Sequence, residues 1–589
     1  MNLNPRTGSF VLGFKNLTFI AESKNPFIKK EKKSILKEIS GEFRGNELTA
    51  IIGFSGSGKS TLLNCLSGFY QDNISGTITY NDNIISTRKI KEVSSYFMQE
   101  QILHTFLSVN ELMNFAVNVK LRQKLTNKEK EILIEEILDK LNIKDRLNIL
   151  VGNLSGGERK RFQIAIELVG DPKILFFDEP TTNLDIVAST QCIKYLKDIT
   201  KEGRTIIITI HQPSAIMLNL FDHIYALNDG YCVFQGTNKN LIRFLKELEL
   251  PCPSTYNSTD FLMEVANNEY GNHSNLLVEK TQNGLNMDYR NKCTTTNSID
   301  IFQKTTEFTD YSATYFRQVY CLAVRFYLTV IRNKSLLYMR FGVHILIAIF
   351  LGAIYHKVGN DGAYALDNYH LIIVSITFVF YTSYHTQYVT FPLEFPIVKR
   401  EHFNRWYSVT AYHSSLIISD APILFLSVTI FVAMVYILTG QILELNRFLI
   451  FLGFFLTFSY AAQALSIMFT SLLDAQHALL IAPYLLVPFF AMSTVGLFAR
   501  DTIPIFRPFF ELNFFNMGIK GAVNSIFGFN RTRLECDDIY CHFNDPKKIL
   551  RDFECDIDVM HAFYTLLTYF VVCHAVSFVF ISYRLKYKH

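Results

Sequence analysis

The hydrophobic rhythm of the chain changes part-way along. Up to about residue 265 short apolar runs alternate with amphipathic stretches; beyond about residue 336 the apolar runs lengthen to roughly 20 residues. In the first part, 11–20 and 48–53 read as strands, and the basic stretch 24–33 between them reads as a solvated hairpin loop. From 53 to 228 strands and amphipathic helices alternate, which predicts an α/β domain over residues 1–265. Residues 266–311, rich in Asn, Thr, Ser, Lys and Glu without periodicity, predict a flexible linker. Residues 312–334 are cationic and amphipathic and predict a helix lying along a membrane surface.

Residues 335–589 predict an all-α membrane domain. Six apolar segments, at about 337–357, 369–390, 414–438, 447–470, 476–498 and 560–582, are each long enough to cross a hydrocarbon core of about 30 Å. Arg332, Lys334 and Arg340 flank the first, Lys399, Arg400 and Arg405 lie between the second and third, and Arg584, Lys586 and Lys588 follow the sixth. Alternating spans bring all three groups to one side, which the positive-inside rule makes cytosolic. The loop at about 499–559 then faces the exterior or a lumen. It carries a glycosylation triplet at Asn530 and three cysteines, Cys536, Cys541 and Cys555, in an oxidising compartment. A bridge between Cys536 and Cys541 is expected, with Cys555 free or joined to a partner chain; the alternative pairs Cys555 with one of the other two.

Composition agrees with a membrane protein: 49% of residues are hydrophobic and 52 of 589 are Phe. A net charge of +4 gives no reason to expect a nucleic-acid partner. The ten cysteines include no CxxC pair, so no zinc site is expected. Residues 1–10 are polar and lack the apolar core of a signal peptide.

The chemistry sits in the first part. Gly53-Phe54-Ser55-Gly56-Ser57-Gly58-Lys59-Ser60-Thr61 fits GxxxxGK[ST], follows an apolar strand and opens an apolar helix. Its glycines let backbone N–H groups close around phosphate oxygens, Lys59 would reach the β- and γ-phosphates, and Ser60 would ligate Mg²⁺. Ile174–Phe177 are apolar and deliver Asp178 and Glu179 to a strand end, where ligands bind in such sheets. Asp178 would hold Mg²⁺ through water, and Glu179 would act as general base on the attacking water. Ser155-Gly156-Gly157 opens a helix and points N–H groups outward at an anion.

With Leu154–Arg161, and with Asn183-Leu184-Asp185 after the acidic pair, these residues resemble an ATP-binding cassette of the ABC type. The resemblance implies ATP and Mg²⁺ as cofactors. It implies a pair of chains, because Ser155–Gly157 meets the γ-phosphate held by the partner's phosphate loop. It assigns Gln99 the sensing of Mg²⁺ and water, His211 a γ-phosphate contact, Asp185 a place beside the nucleotide, and Phe19 a stacking position on adenine. Cassette before membrane domain, Arg400-Glu401 in the turn 394–405, and Asp420-Ala421-Pro422 are similar to subfamily G, the White–Brown type of half-transporter. Segments 501–504, 525–528, 541–543 and 548–551 are similar to its sterol-exporting branch.

The family implies a homodimer or a heterodimer with another subfamily G half-transporter, in the plasma membrane with the cassette in the cytosol. It implies membrane lipids as partners and a hydrophobic small molecule as cargo. A sterol is the first expectation; an ecdysteroid or a pigment precursor is the alternative. The expected cavity lies between spans two and five, with Phe378, Phe380, Phe489, Phe490 and Met492 as apolar lining. A reading of another class, a membrane regulator with a non-hydrolysing cassette, is disfavoured by intact Lys59, Asp178, Glu179 and His211.

Overall fold

The structure, a computed structural model, describes residues 11–22, 32–99, 102–122, 125–253, 255–290, 311–473, 475–481, 483–493, 498–536 and 540–587. Two compact units emerge: one runs to Arg317 and takes in Arg400–Ser408, the other holds Gln318–Lys399 and Val409–Lys588. Residues 23–31, most of the expected basic loop, lie outside the described residues.

The first unit is built on two sheets. Strands β1 (Val11–Glu22), β2 (Lys32–Arg44), β4 (Ile74–Tyr80) and β5 (Asn83–Ile84) form an antiparallel sheet in the order β2-β1-β4-β5. The second sheet has the order β10-β9-β3-β8-β7-β6. Its strands are β3 (Leu48–Ile52), β6 (Ser94–Phe97), β7 (Ile174–Phe177), β8 (Thr205–Ile210), β9 (His223–Asn228) and β10 (Tyr231–Gly236). Strands β9, β3, β8, β7 and β6 are parallel, and β3, β7 and β8 are buried along their whole length. That explains why they read as continuous apolar runs rather than as alternation. Four helices matter for the site: α1 (Lys59–Leu66), α2 (Val109–Lys120), α3 (Gly156–Leu168) and α4 (Ile186–Thr200).

Residues 266–290, expected as part of a flexible linker over 266–311, are docked instead. Residues up to Arg290 pack on the first unit: Gln235 donates to the Gly284 and Asn286 carbonyls, Asn283 donates to the Lys37 carbonyl, and Arg290 donates to Glu42 O at 2.7 Å. Polar side chains that bond to backbone carry no hydrophobic period, so this docking left no trace in the pattern. Residues 291–310 lie outside the described residues.

In the second unit, α5 (Tyr315–Arg332) precedes α6 (Lys334–Ile354), α7 (Ala365–Phe403), α8 (Val409–Leu438), α9 (Leu445–Leu472), α10 (Phe514–Phe527), α11 (Pro546–Asp552) and α12 (Val559–Tyr587). The ends of α5 and α7 belong to the first unit. Among the described residues five helices are long and apolar enough to cross a membrane: α6, α7, α8, α9 and α12.

The expected fifth span, 476–498, is not one helix. It breaks into short pieces, Ala475–Ile481, Tyr484–Leu486 and Val487–Ala491, with Pro483 and Pro488 at the breaks. Each proline lacks the N–H that a continuing helix needs. Nor is 499–559 merely a loop: every residue of α10 is buried, and Phe514 and Phe515 pack into the core of this unit beside Phe458 and Phe380. At 14 residues α10 is too short to register as a span, yet right for a buried helix.

Phe378 and Phe380 are packing residues rather than the lining of an open cavity. Phe380 is fully buried against Tyr384, Phe458 and Phe490, and Phe378 packs on His344 and Phe431. Phe489 and Phe490 are half-buried against the same core.

Cys536 and Cys541 are joined in a disulfide with Cα atoms 6.1 Å apart. Cys555 is free and completely buried; of its two expected states, the free thiol fits this structure and the bridge to a partner chain does not. Asn530 is exposed, with a left-handed backbone (φ 51°).

Candidate functional site

The site forms along one edge of the six-stranded sheet. The phosphate loop follows β3, Gln99 follows β6, Asp178 and Glu179 follow β7, and His211 follows β8. The parallel register places Ile52 beside Ile210, Phe177 beside Ile208 and Phe97 beside Phe177, so all four strand ends open on the same side.

Gly53, Gly56 and Gly58 have φ of 156°, 82° and 102°, and the last two lie in the left-handed region that favours glycine. Gly58 ends the loop and α1 starts at Lys59. Lys59 is buried, and its ammonium donates to the carbonyls of Gly53 (2.8 Å) and Phe54 (2.9 Å). Burial lowers its pKa, and the charges of Glu179 and Asp178 oppose that shift. Ser55 is exposed, Thr61 is half-buried, and Ser57 Oγ is buried without a hydrogen-bond partner.

Ser60 Oγ donates to Asp178 Oδ1 at 2.8 Å, and Thr209 Oγ1 donates to the same oxygen at 2.7 Å. Thr209 also accepts from the Glu179 N–H at 2.9 Å, so one hydroxyl holds both acidic residues. Burial pushes the Asp178 carboxyl up, against its hydrogen bonds from Thr209 and Ser60. Glu179 has a left-handed backbone (φ 48°), rare for a non-glycine, and its carboxylate accepts from Gln99 Nε2 (2.8 Å) and Thr182 Oγ1 (3.0 Å). His211 is exposed.

Ser155 caps α3 in a reciprocal capping box with Glu158, and it is exposed. A Cβ at Gly156 would lie 3.6 Å from Leu184, and one at Gly157 would lie 3.4 Å from Ala188. Asp185 caps α4 by accepting from the Ala188 N–H. Ser155–Gly157 and Asp185 therefore share one region.

Phe19 does not stand ready for adenine. It is 8% exposed and stacks on Tyr70, with ring centroids 4.8 Å apart. Its role in this structure is core packing.

The residues fit ATP and Mg²⁺. The unpartnered Ser57 hydroxyl, and an ammonium resting on two loop carbonyls, are donors that phosphate oxygens would satisfy. Ser60 and Asp178, already in contact, supply hard oxygen ligands of the kind Mg²⁺ takes.

Reading the sequence alone missed Thr209 and Asn404. Thr209 is the polar residue near the end of the apolar run Ile206–Ile210, a signal that could have marked it. Asn404 lies in the turn 400–408, which belongs with this unit and is held by several contacts. The Asn404 amide bonds both main-chain groups of Tyr96, and Arg400 donates to the Ile102 carbonyl at 3.1 Å. Trp406 is 1% exposed, with its ring 4.5 Å from the Lys120 ammonium.

Profiles of known families match both parts of the chain. The ABC transporter family matches residues 36–182, and the ABC-2 type transporter family matches residues 317–527. ABC transporter G family member 2 of Arabidopsis thaliana is 26% identical over 600 residues, covering 93% of this chain and 78% of that protein. The chain belongs to the G family of ABC transporters.

Other G family relatives align over less of their length. ABC transporter G family member 1 of Arabidopsis thaliana is 34% identical over 289 residues, 44% of this chain but 38% of that protein. The match to Protein scarlet of Drosophila melanogaster is 28% identical and covers 69% of this chain and 64% of that protein. The chain thus spans less than two-fifths of the length of the first of these relatives. In this G family chain the first match covers the phosphate loop and the acidic pair, and the second covers α6 through α10.

Proposed function

We propose that this chain is an ATP-driven half-transporter that pairs with a second copy or a relative to move an apolar, lipid-like molecule, a sterol first among them. One observation carries the reading: Lys59, Ser60, Asp178, Glu179 and Gln99 converge in one corner, while Ser155 and Gly156 open α3 at an exposed helix N-terminus.

Lys59 leaves the Gly53 and Phe54 carbonyls to meet phosphate oxygens. Ser60 and Asp178 would hold Mg²⁺, which would supply charge neutralisation on the phosphates. Glu179, steered by Gln99, Thr182 and the Thr209 hydroxyl, takes the proton of the attacking water. Ser155 meets the phosphate held by the other chain, which makes closure of the pair depend on ATP. Closure is passed on by the turn Arg400–Ser408, because α7 runs without a break from Ala365 to Phe403. An apolar cargo is supported by the exposed Val374 and Tyr381, seven residues apart and so on one face of α7.

The test uses the full chain in lipid nanodiscs. Glu179→Gln should abolish ATP hydrolysis and keep ATP binding, whereas Lys59→Ala should weaken binding itself. Hydrolysis at the parent rate in Glu179→Gln would overturn the assignment. Sterols, ecdysteroids and tryptophan derivatives are then compared as stimulators of hydrolysis, and stimulation by the last group alone would overturn the sterol reading.

A further inference from the structure

A cavity of about 850 Å³ opens where α9, α10, α11 and the start of α12 meet. It lies at the end of the spans where α8 ends and α9 begins, opposite the start of α8. The volume is within the about 300–1,000 Å³ range of sites for small organic ligands.

Its floor is apolar, with Ile450, Phe454, Phe527, Leu550 and Phe563. Gly453 also lines it, and a Cβ there would meet nothing within 4 Å, so the floor has room to spare. Ile450 and Phe454 sit five and nine residues into α9, which at about 1.5 Å per residue is roughly 8–14 Å below its outer end.

The rim carries charge of both signs. Lys547 and Arg551 are exposed and one helical turn apart on α11, so they share a face; Asp556 and Asp558 are exposed on the segment leading into α12. Among the described residues neither Lys547 nor Arg551 has an ion-pair partner. The face of α12 that continues from this mouth is apolar and exposed, with Met560, Tyr564, Leu567 and Val571.

We propose that this cavity binds one zwitterionic phospholipid of the outer leaflet. The two cations take the headgroup phosphate, the two carboxylates take its ammonium group, and an acyl chain enters over Gly453. A free phosphate has no use for the apolar floor. A sterol hydroxyl has no use for the four exposed rim charges; the fifth charged lining residue, Arg531, is buried and donates to the Ile526 and Gly359 carbonyls. An anionic lipid leaves the carboxylates unmatched. The site rests on the assignment of the membrane spans.

A photoactivatable phosphatidylcholine tests it, with the full chain in nanodiscs and peptide mapping as the readout. Labelling is expected on the peptides containing 450–454 and 559–563, at least about fivefold above that by the matching phosphatidylglycerol, a difference of ~1 kcal/mol in affinity. Lys547→Glu with Arg551→Glu should cut it by a similar factor, and so should Gly453→Leu, which fills the floor without touching the charges. Basal ATP hydrolysis should persist in both variants. Equal labelling in the variants, displacement by cholesterol but not by phosphatidylcholine, or no labelling at 450–454 while the exposed face of α12 is labelled, would each overturn the proposal; the last would mean that a second copy covers the mouth. A parent chain that labels as described yet hydrolyses no ATP would count against the transporter reading and leave this one standing.

Discussion

Asn404 pairs with the main chain of Tyr96 through both ends of its side-chain amide: the Tyr96 N–H donates to Oδ1 at 3.0 Å, and Nδ2 donates to the Tyr96 carbonyl at 3.1 Å. Tyr96 lies on β6, the edge strand of its sheet, so the amide stands where the next strand would pair. Three residues further on, Gln99 donates to the carboxylate of Glu179. A turn reached from the end of α7 is thus tied to the strand that carries the glutamine bonded to the Glu179 carboxylate.

Asn404→Ala removes both bonds without touching a nucleotide-contacting residue. Each is worth about 0.5–1.5 kcal/mol net. The expected outcome is near-parental basal hydrolysis in nanodiscs with stimulation by cargo reduced about tenfold, the equivalent of ~1.4 kcal/mol. Asn404→Asp keeps the acceptor and loses the donor, so it should fall between. Parental stimulation in Asn404→Ala would show that the turn does not act through Tyr96.

Glu167, at the end of α3, makes the second tie. It accepts from Ser95 Oγ at 2.8 Å, from Lys120 Nζ at 2.5 Å and, more weakly, from Trp406 Nε1 at 3.4 Å. Burial works against its charged form, and the Lys120 and Arg400 charges outweigh burial, so its pKa lies below the usual carboxylate range. Lys120→Met leaves a buried carboxylate without its closest cation, a change that typically costs about 3–5 kcal/mol. Hydrogen exchange should rise in the peptide 400–408 as the Trp406 seat loosens, and the melting temperature of the first unit should drop. Lys120→Met with Glu167→Leu should recover part of the melting temperature but not the protection of 400–408, since the indole N–H has then lost its acceptor.

Much of this was legible in the sequence, and the reasons differ by region. The phosphate loop, the acidic pair and the capped Ser155 helix are local: neighbouring residues determine the backbone at Gly56, Gly58 and Ser155, and the strand ends follow from apolar runs. Long, mostly apolar spans such as Val409–Leu438 were equally plain, even with Asp420 and Pro422 inside that one. Thr209 and Asn404 were hidden because their partners lie 30 and 308 residues away. The stretch 476–498 misled because average hydropathy does not register where a helix breaks: Pro483 and Pro488 sit at its breaks, whereas α7 runs on through Pro392 and Pro396; α10 was overlooked because a short helix buried by its neighbours needs no membrane-spanning length. Phe19 and Phe380 show the converse: an aromatic ring in the right place for a ligand was already satisfied by other rings.

Within the second unit, Arg340 on α6 and Asp420 on α8 form a two-pronged ion pair at 2.7 and 2.9 Å, both side chains at most 7% exposed, and Gln463 of α9 donates to the same carboxylate. Either Arg340→Ala or Asp420→Ala strands a buried charge and should destabilise by about 3–5 kcal/mol. Arg340→Met with Asp420→Leu replaces the pair by apolar volume and should melt within a few degrees of the parent in detergent. A double variant no better than the singles would mean that the charges hold a geometry that apolar packing cannot replace.

The cysteines test both the sidedness of the chain and the placement of the segment before α12. Cys536 and Cys541 are bonded, so a membrane-impermeant maleimide applied to intact cells should label neither until a reductant is added, and then both. Cys555 should stay silent in either case, because its side chain is fully buried, its Sγ donates to the Phe553 carbonyl at 3.3 Å, and burial pushes its thiol up to about 12, leaving almost no thiolate to react. Only unfolding should expose it. The same burial predicts that the chain migrates identically with and without reductant on electrophoresis, apart from the small shift caused by opening the Cys536–Cys541 loop. A reduction-sensitive dimer that disappears in Cys555→Ser would show that the segment around Cys555 turns outward in the assembled protein. Labelling of Cys536 and Cys541 that appears only after the cells are permeabilised would reverse the orientation, because both cysteines would then lie on the side that holds the cassette.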